Sequence, residues 1–359
     1  MIKIAEENVE RLEKKDFFIY FFVLDTKGNP SSALEYIYKT ALTLHKLGYN
    51  VKILHNEKDF VGVGEWLGEE YANLPHANTE KENVEITASD FLFIPEIFAN
   101  VMMQTKKLPC KRVIIVQNAN NITEFLPVSQ NLENLGITDA VVTTKSNGDK
   151  LTSFFPEVRT HIVSPSISPM FTTDNNPQKL IVNIVAKEQT DINRIIKPFY
   201  WKNPIYRFVS FRDLRGLPQD MFAAALREAA LTIWIDDKTP FGYTLLEALR
   251  SGSVVLAKVP EEPTEWMVNS DGSLSEKIIW FDSLDAVSDM IAPAVRSWTR
   301  LEIPESVYED EKSFDTLYSE DVQKAEIEHV YIKTIVERRL NEFKEVLAEL
   351  KNKETEENE

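Results

Sequence analysis

Cysteine is almost absent: Cys110 is the one cysteine in 359 residues. A single thiol makes neither an internal disulfide nor a cysteine-rich zinc site, so the expected setting is a reducing one, the cytoplasm. Histidine is scarce too. The five histidines, at positions 45, 55, 76, 161 and 329, are scattered without metal-ligand spacing, and no metal centre is expected. Long apolar runs are missing. Near the start of the chain the longest is Phe17 to Leu24, eight residues preceded by Glu6, Glu7, Glu10 and Glu13, which reads as neither signal peptide nor membrane span. Basic residues are outnumbered, 40 Lys and Arg against 57 Asp and Glu, for a formal charge of −17. Such a chain repels nucleic-acid phosphates and anionic membranes except where a local patch reverses the sign. Residues 1–172 hold 17 basic and 22 acidic side chains and the remainder 23 and 35, so most of the excess lies in the second half. The 11 glycines never form a G-x-G-x-x-G after a strand-like run, which sets aside a dinucleotide-dependent oxidoreductase.

What is present is ordinary globular material, 43% hydrophobic and 27% charged, at a length that predicts two domains. The first half alternates short apolar runs with helix-like stretches. Phe17 to Leu24, an amphipathic stretch from Ser32 to Leu47 closed by Gly48, and Val51 to Leu54 form a βαβ unit. Further runs at Phe91 to Ile94, Val113 to Val116, Ala140 to Thr143 and His161 to Val163 predict a doubly wound parallel sheet. The aperiodic SPSISPMFTTDNNP from Ser164 to Pro177 reads as a linker. Beyond it the alternation resumes: Leu180 to Val185, Tyr206 to Phe211, a helix from Pro218 to Ala230, Leu231 to Ile235, a helix from Tyr243 to Arg250, Val254 to Val259 and Lys277 to Phe281. The expected organisation is a Rossmann-like domain over 1–172, a second over 173–320, a long amphipathic helix over 321–352 and a disordered acidic tail over 353–359.

One stretch is far more informative than the rest, LTIWIDDKTPFGYTLLEALRSGSVVLAKVP from Leu231 to Pro260. A buried strand runs through an acidic, polar loop straight into a helix, then into another strand. In an open α/β sheet ligands collect where strands end and helices begin, because the first-turn N–H groups and the positive end of the helix dipole face the crevice. Gly242 allows close backbone approach or a positive φ, and the amides of Tyr243 and Thr244 are placed for a phosphate. Glu247, one turn into the helix, has the chemistry to accept hydrogen bonds from a ribose diol. Taken singly, a glycine before a helix is also an ordinary turn, and a helical glutamate is also a solvated one.

Together these residues resemble the donor-binding motif of GT-B glycosyltransferases, in particular the large retaining family 4 type. There a Glu, a Phe-Gly pair and a second Glu followed by Ala precede a small-residue Gly turn and a Val-rich strand. Phe241, Gly242, Leu246, Glu247, Ala248, Gly252, Val254 and Val255 match. The family's first Glu falls on Thr239 and the Gly after it on Pro240, which changes sugar choice or weakens catalysis, with Asp236 and Asp237 as nearby substitutes. The resemblance implies a GT-B fold, a donor such as a UDP- or GDP-sugar with its ribose on Glu247, and phosphates or sugar against Gly242 to Thr244. It also implies two cations that neutralise the departing diphosphate, best matched by Lys187 and Arg194 after the strand LIVNIVAKEQ. Arg212 and Asp213, at the end of the next strand, stand where the family encloses the base.

In the first half Gly28, in the loop DTKGNPSS, and the strand-end pairs Pro95-Glu96 and Gln117-Asn118 face the expected interdomain cleft. Glu96 and Asn118 are the acceptor candidates. The expected activity is transfer of a sugar to an acceptor hydroxyl, with retention and without metal, the acceptor being a glycan, a lipid-linked compound, a protein or small molecule, or a hydroxylated DNA base. A phage-type enzyme acting on such a base and a non-catalytic GT-B binding subunit are the alternatives. Lys106, Lys107, Lys111 and Arg112 form the local basic group that fits weak association with DNA or anionic lipid.

Overall fold

The computed structural model describes residues 14–173, 178–236, 241–300, 317–342 and 345. Thr239, Pro240, Asp237 and the 353–359 tail lie outside them. The chain divides into two compact units, residues 1–64 with 68–164 and 323–359, and residues 65–67 with 165–322.

The first unit is built on a seven-stranded parallel sheet. In chain order its strands are β1 (Phe18–Phe22), β2 (Asn50–His55), β3 (His76–Asn78), β4 (Phe91–Pro95), β5 (Lys111–Val116), β6 (Asp139–Val142) and β7 (Arg159–Ile162). Their order across the sheet is β3-β2-β1-β4-β5-β6-β7, so the winding reverses between β1 and β4. Strands buried on both faces need continuous apolar runs, and β4 is buried at every position. The Ser32–Lys46 helix starts where the Ser31 hydroxyl accepts the Leu34 amide at 3.4 Å and stops ahead of Gly48, whose φ of 90° suits the reversal. β3, only three residues, carries no run long enough to announce itself in the sequence.

At the amino ends of β5 to β7, the buried Asp139 carboxylate accepts from Lys111 (2.6 Å), Arg159 (3.0 Å), His161 (3.0 Å) and Arg338 (2.6 Å). Burial alone would raise its pKa, but these donors outweigh burial and hold it well below the usual range. Arg338 belongs to the terminal segment, which is α-helical over Glu320–Ile327 and continues in wider π-type turns over Glu328–Val336. Tyr331 of this segment packs on Phe93 and Phe21.

The second unit has a five-stranded parallel sheet: β8 (Lys179–Val185), β9 (Ser210–Asp213), β10 (Ala229–Trp234), β11 (Val254–Lys258) and β12 (Ile279–Phe281), in the order β12-β11-β10-β8-β9. Here the winding reverses between β8 and β10. Alternate strand residues face opposite layers. Leu231, Ile233, Val254 and Leu256 meet Ile195, Phe199 and Ile291, whereas Trp234, Val255 and Ala257 meet Leu226, Leu245 and Leu246. The strand expected over Tyr206 to Phe211 begins later, at Ser210, because Pro204–Tyr206 winds into a 3-10 turn. The Gln189–Lys202 helix carries Pro198 and buries Ile192, Ile195 and Phe199. The segment after Ser164 does not hang as a free tether: Ile167 and Phe171 are buried in the second unit, and the Tyr243 hydroxyl donates to Ser166 O.

Candidate functional site

In doubly wound sheets the reversal of strand order opens a crevice at the carboxyl ends of the two strands beside it. In the second unit those strands are β8 and β10. Lys187 follows β8, Asp236 follows β10, and the Lys187 ammonium lies 2.9 Å from an Asp236 carboxylate oxygen. The lysine side chain is 66% exposed and the aspartate 16%, so the cation projects outward from a carboxylate set back in the protein.

The turn into the Tyr243–Arg250 helix lies beyond the same end of β10. Gly242 is left-handed, with φ 65° and ψ 44°. The positive φ favours glycine, and a β-carbon there would meet the Met267 methyl and lie 3.3 Å from Trp266 Cζ2, so those side chains would have to shift. The Gly242 carbonyl takes the first helical bonds, from Leu245 N (3.0 Å) and Leu246 N (3.1 Å). The amides of Gly242, Tyr243 and Thr244 therefore precede the helical ladder and form the anion-attracting end. The side chains here are mostly structural. Phe241 is buried against Tyr318, the Tyr243 ring is buried, and Thr244 Oγ1 accepts the Trp234 indole N–H at 3.0 Å. Glu247 is 3% exposed, which removes it from the solvated face of its helix.

The other donor-side candidates are placed differently. Arg194 lies on the Gln189–Lys202 helix, 57% exposed, beside Asp285 (3.7 Å) and Asp191 (4.0 Å). Arg212 turns to the opposite edge of the sheet, where its guanidinium meets Glu228 at 2.6 Å beside Lys179. Arg215 lies beyond the end of β9 at Asp213, and it is the cation at the carboxyl end of this loop. It binds Asp213 at 2.6 Å and also Gln189, the first residue of the helix after β8. The only sequence signal for Arg215 was its place one residue past Leu214 in the same SFRDLR loop.

In the first unit the reversal lies between β1 and β4. Gly28, at φ 79°, is in the loop after β1, and Lys27 beside it is also left-handed at 54°. Asp25 secures this loop by accepting from Lys27 Nζ (2.9 Å), Lys27 N (3.1 Å), Val61 N (2.9 Å) and Gly62 N (3.3 Å). Glu96, directly after β4, is 4% exposed, and burial pushes its carboxyl up to about 7. One of its oxygens accepts from Asn118 N (2.9 Å) and Asn121 Nδ2 (3.1 Å), so Glu96 and Asn118 are brought together. Asn147, which the sequence did not single out, extends the network by binding Ala119 N (3.0 Å) and Gln117 O (2.9 Å).

The expected basic surface group is not one. Arg112 is 5% exposed, with its guanidinium on the carbonyls of Met102, Lys106 and Leu135, and Lys111 is paired with Asp139. Alternation along β5 points Arg112 inward, where helix and loop carbonyls supply acceptors, so only Lys106 and Lys107 remain as outward charges. Among the described residues no group of three or more His, Cys, Asp or Glu is arranged to hold a metal ion, and no helix is long and apolar enough to cross a membrane.

No family model matches the chain, and no curated protein matches it in sequence. Solved structures do resemble it. Sucrose-phosphate synthase from Thermosynechococcus elongatus superimposes with a TM-score of 0.60 at 10% identity, covering 88% of this chain and 98% of that one. Anabaena HepE, solved with UDP-glucose, gives 0.60 at 10% identity over 88% and 99%. The pneumococcal O-GlcNAc transferase GtfA, solved with UDP and GlcNAc, gives 0.59 at 10% identity over 90% and 99%. With its two parallel α/β units, each reversing its strand order once, the chain has the GT-B fold.

Proposed function

We propose that the protein is a glycosyltransferase that moves a sugar from a nucleotide-sugar donor, such as a UDP- or GDP-sugar, to an acceptor hydroxyl, with retention of configuration and without a metal. The observation that carries this reading is the left-handed Gly242 turn at the head of the Tyr243–Arg250 helix, with Glu247 buried one turn further on and Lys187 at the adjoining reversal of strand order. A diphosphate gains from first-turn amides and the helix dipole. As the glycosidic bond breaks, negative charge builds on the leaving phosphate, and a fixed ammonium stabilises that state more than the ground state. Lys187 and Arg194 are assigned to this, with Arg215 nearest the base-side loop and Glu247 on the ribose. UDP-glucose bound to HepE and UDP bound to GtfA support the class of donor.

Glu96 and Asn118 are assigned to the acceptor, which is a glycan, a lipid-linked compound, a protein or small molecule, or a hydroxylated DNA base. A screen of nucleotide-sugars for hydrolysis or transfer tests the reading. Turnover of at least one donor is expected, unchanged by EDTA. Glu247→Ala or Lys187→Ala is expected to lower it tenfold or more, about 1.4 kcal/mol.

Thr239 in place of the motif's first glutamate favours a second reading, a binding subunit that keeps the fold without the chemistry. Thermal stabilisation by nucleoside diphosphates with no turnover of any donor would select it.

A further inference from the structure

The Gly242 turn raises a physical problem of its own. In the trans peptide joining Phe241 to Gly242, the carbonyl and the N–H point in opposite directions, so fixing one fixes the other. Glycine accepts either sign of φ at small cost, and a flip of this peptide would replace the N–H with a carbonyl oxygen. A turn that must present N–H groups to an anion therefore needs an external hold. Two indoles supply one. Trp266 Nε1 donates to the Phe241 carbonyl at 2.8 Å, and Trp234 Nε1 donates to Thr244 Oγ1 at 3.0 Å. Met267, beside Trp266, closes over Gly242, and the segment behind it is braced by bonds from Ser275 N to Met267 O (2.8 Å) and Asn269 N to Ser273 O (2.7 Å). A hydroxyl that accepts the Trp234 N–H keeps its own proton to donate, so Thr244 is oriented as well as held.

We infer that Trp266, with Trp234 on the other flank, is a positioning residue that locks the Phe241–Thr244 turn with its N–H groups toward a diphosphate. This rests on the donor reading above. Both indoles act through the backbone carbonyl and the hydroxyl they grip. The consequence is specific, because losing a grip on the turn weakens recognition of phosphate and leaves recognition of the nucleoside intact.

Calorimetric titration of the full chain and of Trp266→Phe with UDP, ADP, GDP and inorganic pyrophosphate, and ligand-observed NMR with uridine, adenosine and guanosine, test this. Phenylalanine keeps an aromatic ring and removes the N–H donor together with the second ring of the indole. For the diphosphate that the wild type binds, Trp266→Phe is expected to raise Kd about fivefold or more, and that of pyrophosphate likewise, in keeping with the loss of one hydrogen bond. The matching nucleoside is expected to bind as before, and the ligand-free unfolding midpoint to move by no more than about 3 °C. Unchanged diphosphate affinity overturns the inference, and so does an equal loss for nucleoside and diphosphate, which marks a purely structural tryptophan. A wild type that binds none of the three diphosphates overturns the donor reading instead. If Trp266→Phe does not fold, Thr244→Val, which removes only the acceptor of the Trp234 indole, is judged by the same two comparisons.

Discussion

Residues buried with a titratable group carry the pH behaviour of this protein. His76 packs against Tyr38, His55 and Phe60, and its Nδ1 is buried without a partner. Burial first, and the neighbouring His55 second, push its pKa down to about 4. A histidine depressed in the fold is neutral there, so its full contribution is present above the unfolded value of about 6.5 and is lost as pH falls from there toward 4. The loss is on the order of 3 kcal/mol. Urea unfolding at pH 7.5 and 4.5 is expected to show this acid sensitivity reduced in His76→Phe, with stability at pH 7.5 equal or higher because an orphaned polar atom has gone. Glu96 moves the other way, its carboxyl raised to about 7. If it contacts the acceptor hydroxyl as a carboxylate, kcat/KM for the acceptor rises with pH through about 7, and Glu96→Gln, which keeps an oxygen for the Asn118 amide, loses that inflection in a pH–rate profile.

At the scale of elements, the Tyr243–Arg250 helix is legible from its sequence and the turn before it only in part. The Gly in PFGY marks a chain reversal whatever its purpose, but the side chains that close over it, Trp266 and Met267, lie 24 to 25 residues away. Gly242→Ala must adopt φ near 65° and displace the Met267 methyl. A destabilisation on the order of 1–3 kcal/mol by denaturant unfolding is expected, together with a larger loss of diphosphate affinity than of nucleoside affinity. Glu247 shows the same limit. Its place in the motif was readable, while its 3% exposure was not. Arg212 and Arg215 stand three positions apart in one loop, and only their partners in the fold, Glu228 for Arg212 and Asp213 with Gln189 for Arg215, separate them.

For the whole molecule the governing quantity is a formal charge of −17. With Arg112 buried on carbonyls and Lys111 neutralised by Asp139, the first unit lacks the four-residue basic group that would offset it. Binding to non-specific duplex DNA is therefore expected to be weak, with log K against log salt no steeper than about −2, as two phosphate contacts at most would give. Fluorescence anisotropy at two salt concentrations measures this, and a steep slope would favour the DNA-base acceptor over the others.

Alternating apolar runs and turn residues announced every strand of the two parallel sheets except β3, because hydrophobic periodicity is a local property that each strand and helix must satisfy for itself. The motif around Gly242 and Glu247 was local as well. Which winding reversal each strand end flanks, which arginine faces the carboxyl edge, and which tryptophans grip the turn were settled only by the folded chain. These depend on contacts between residues far apart in sequence, and no local pattern encodes them.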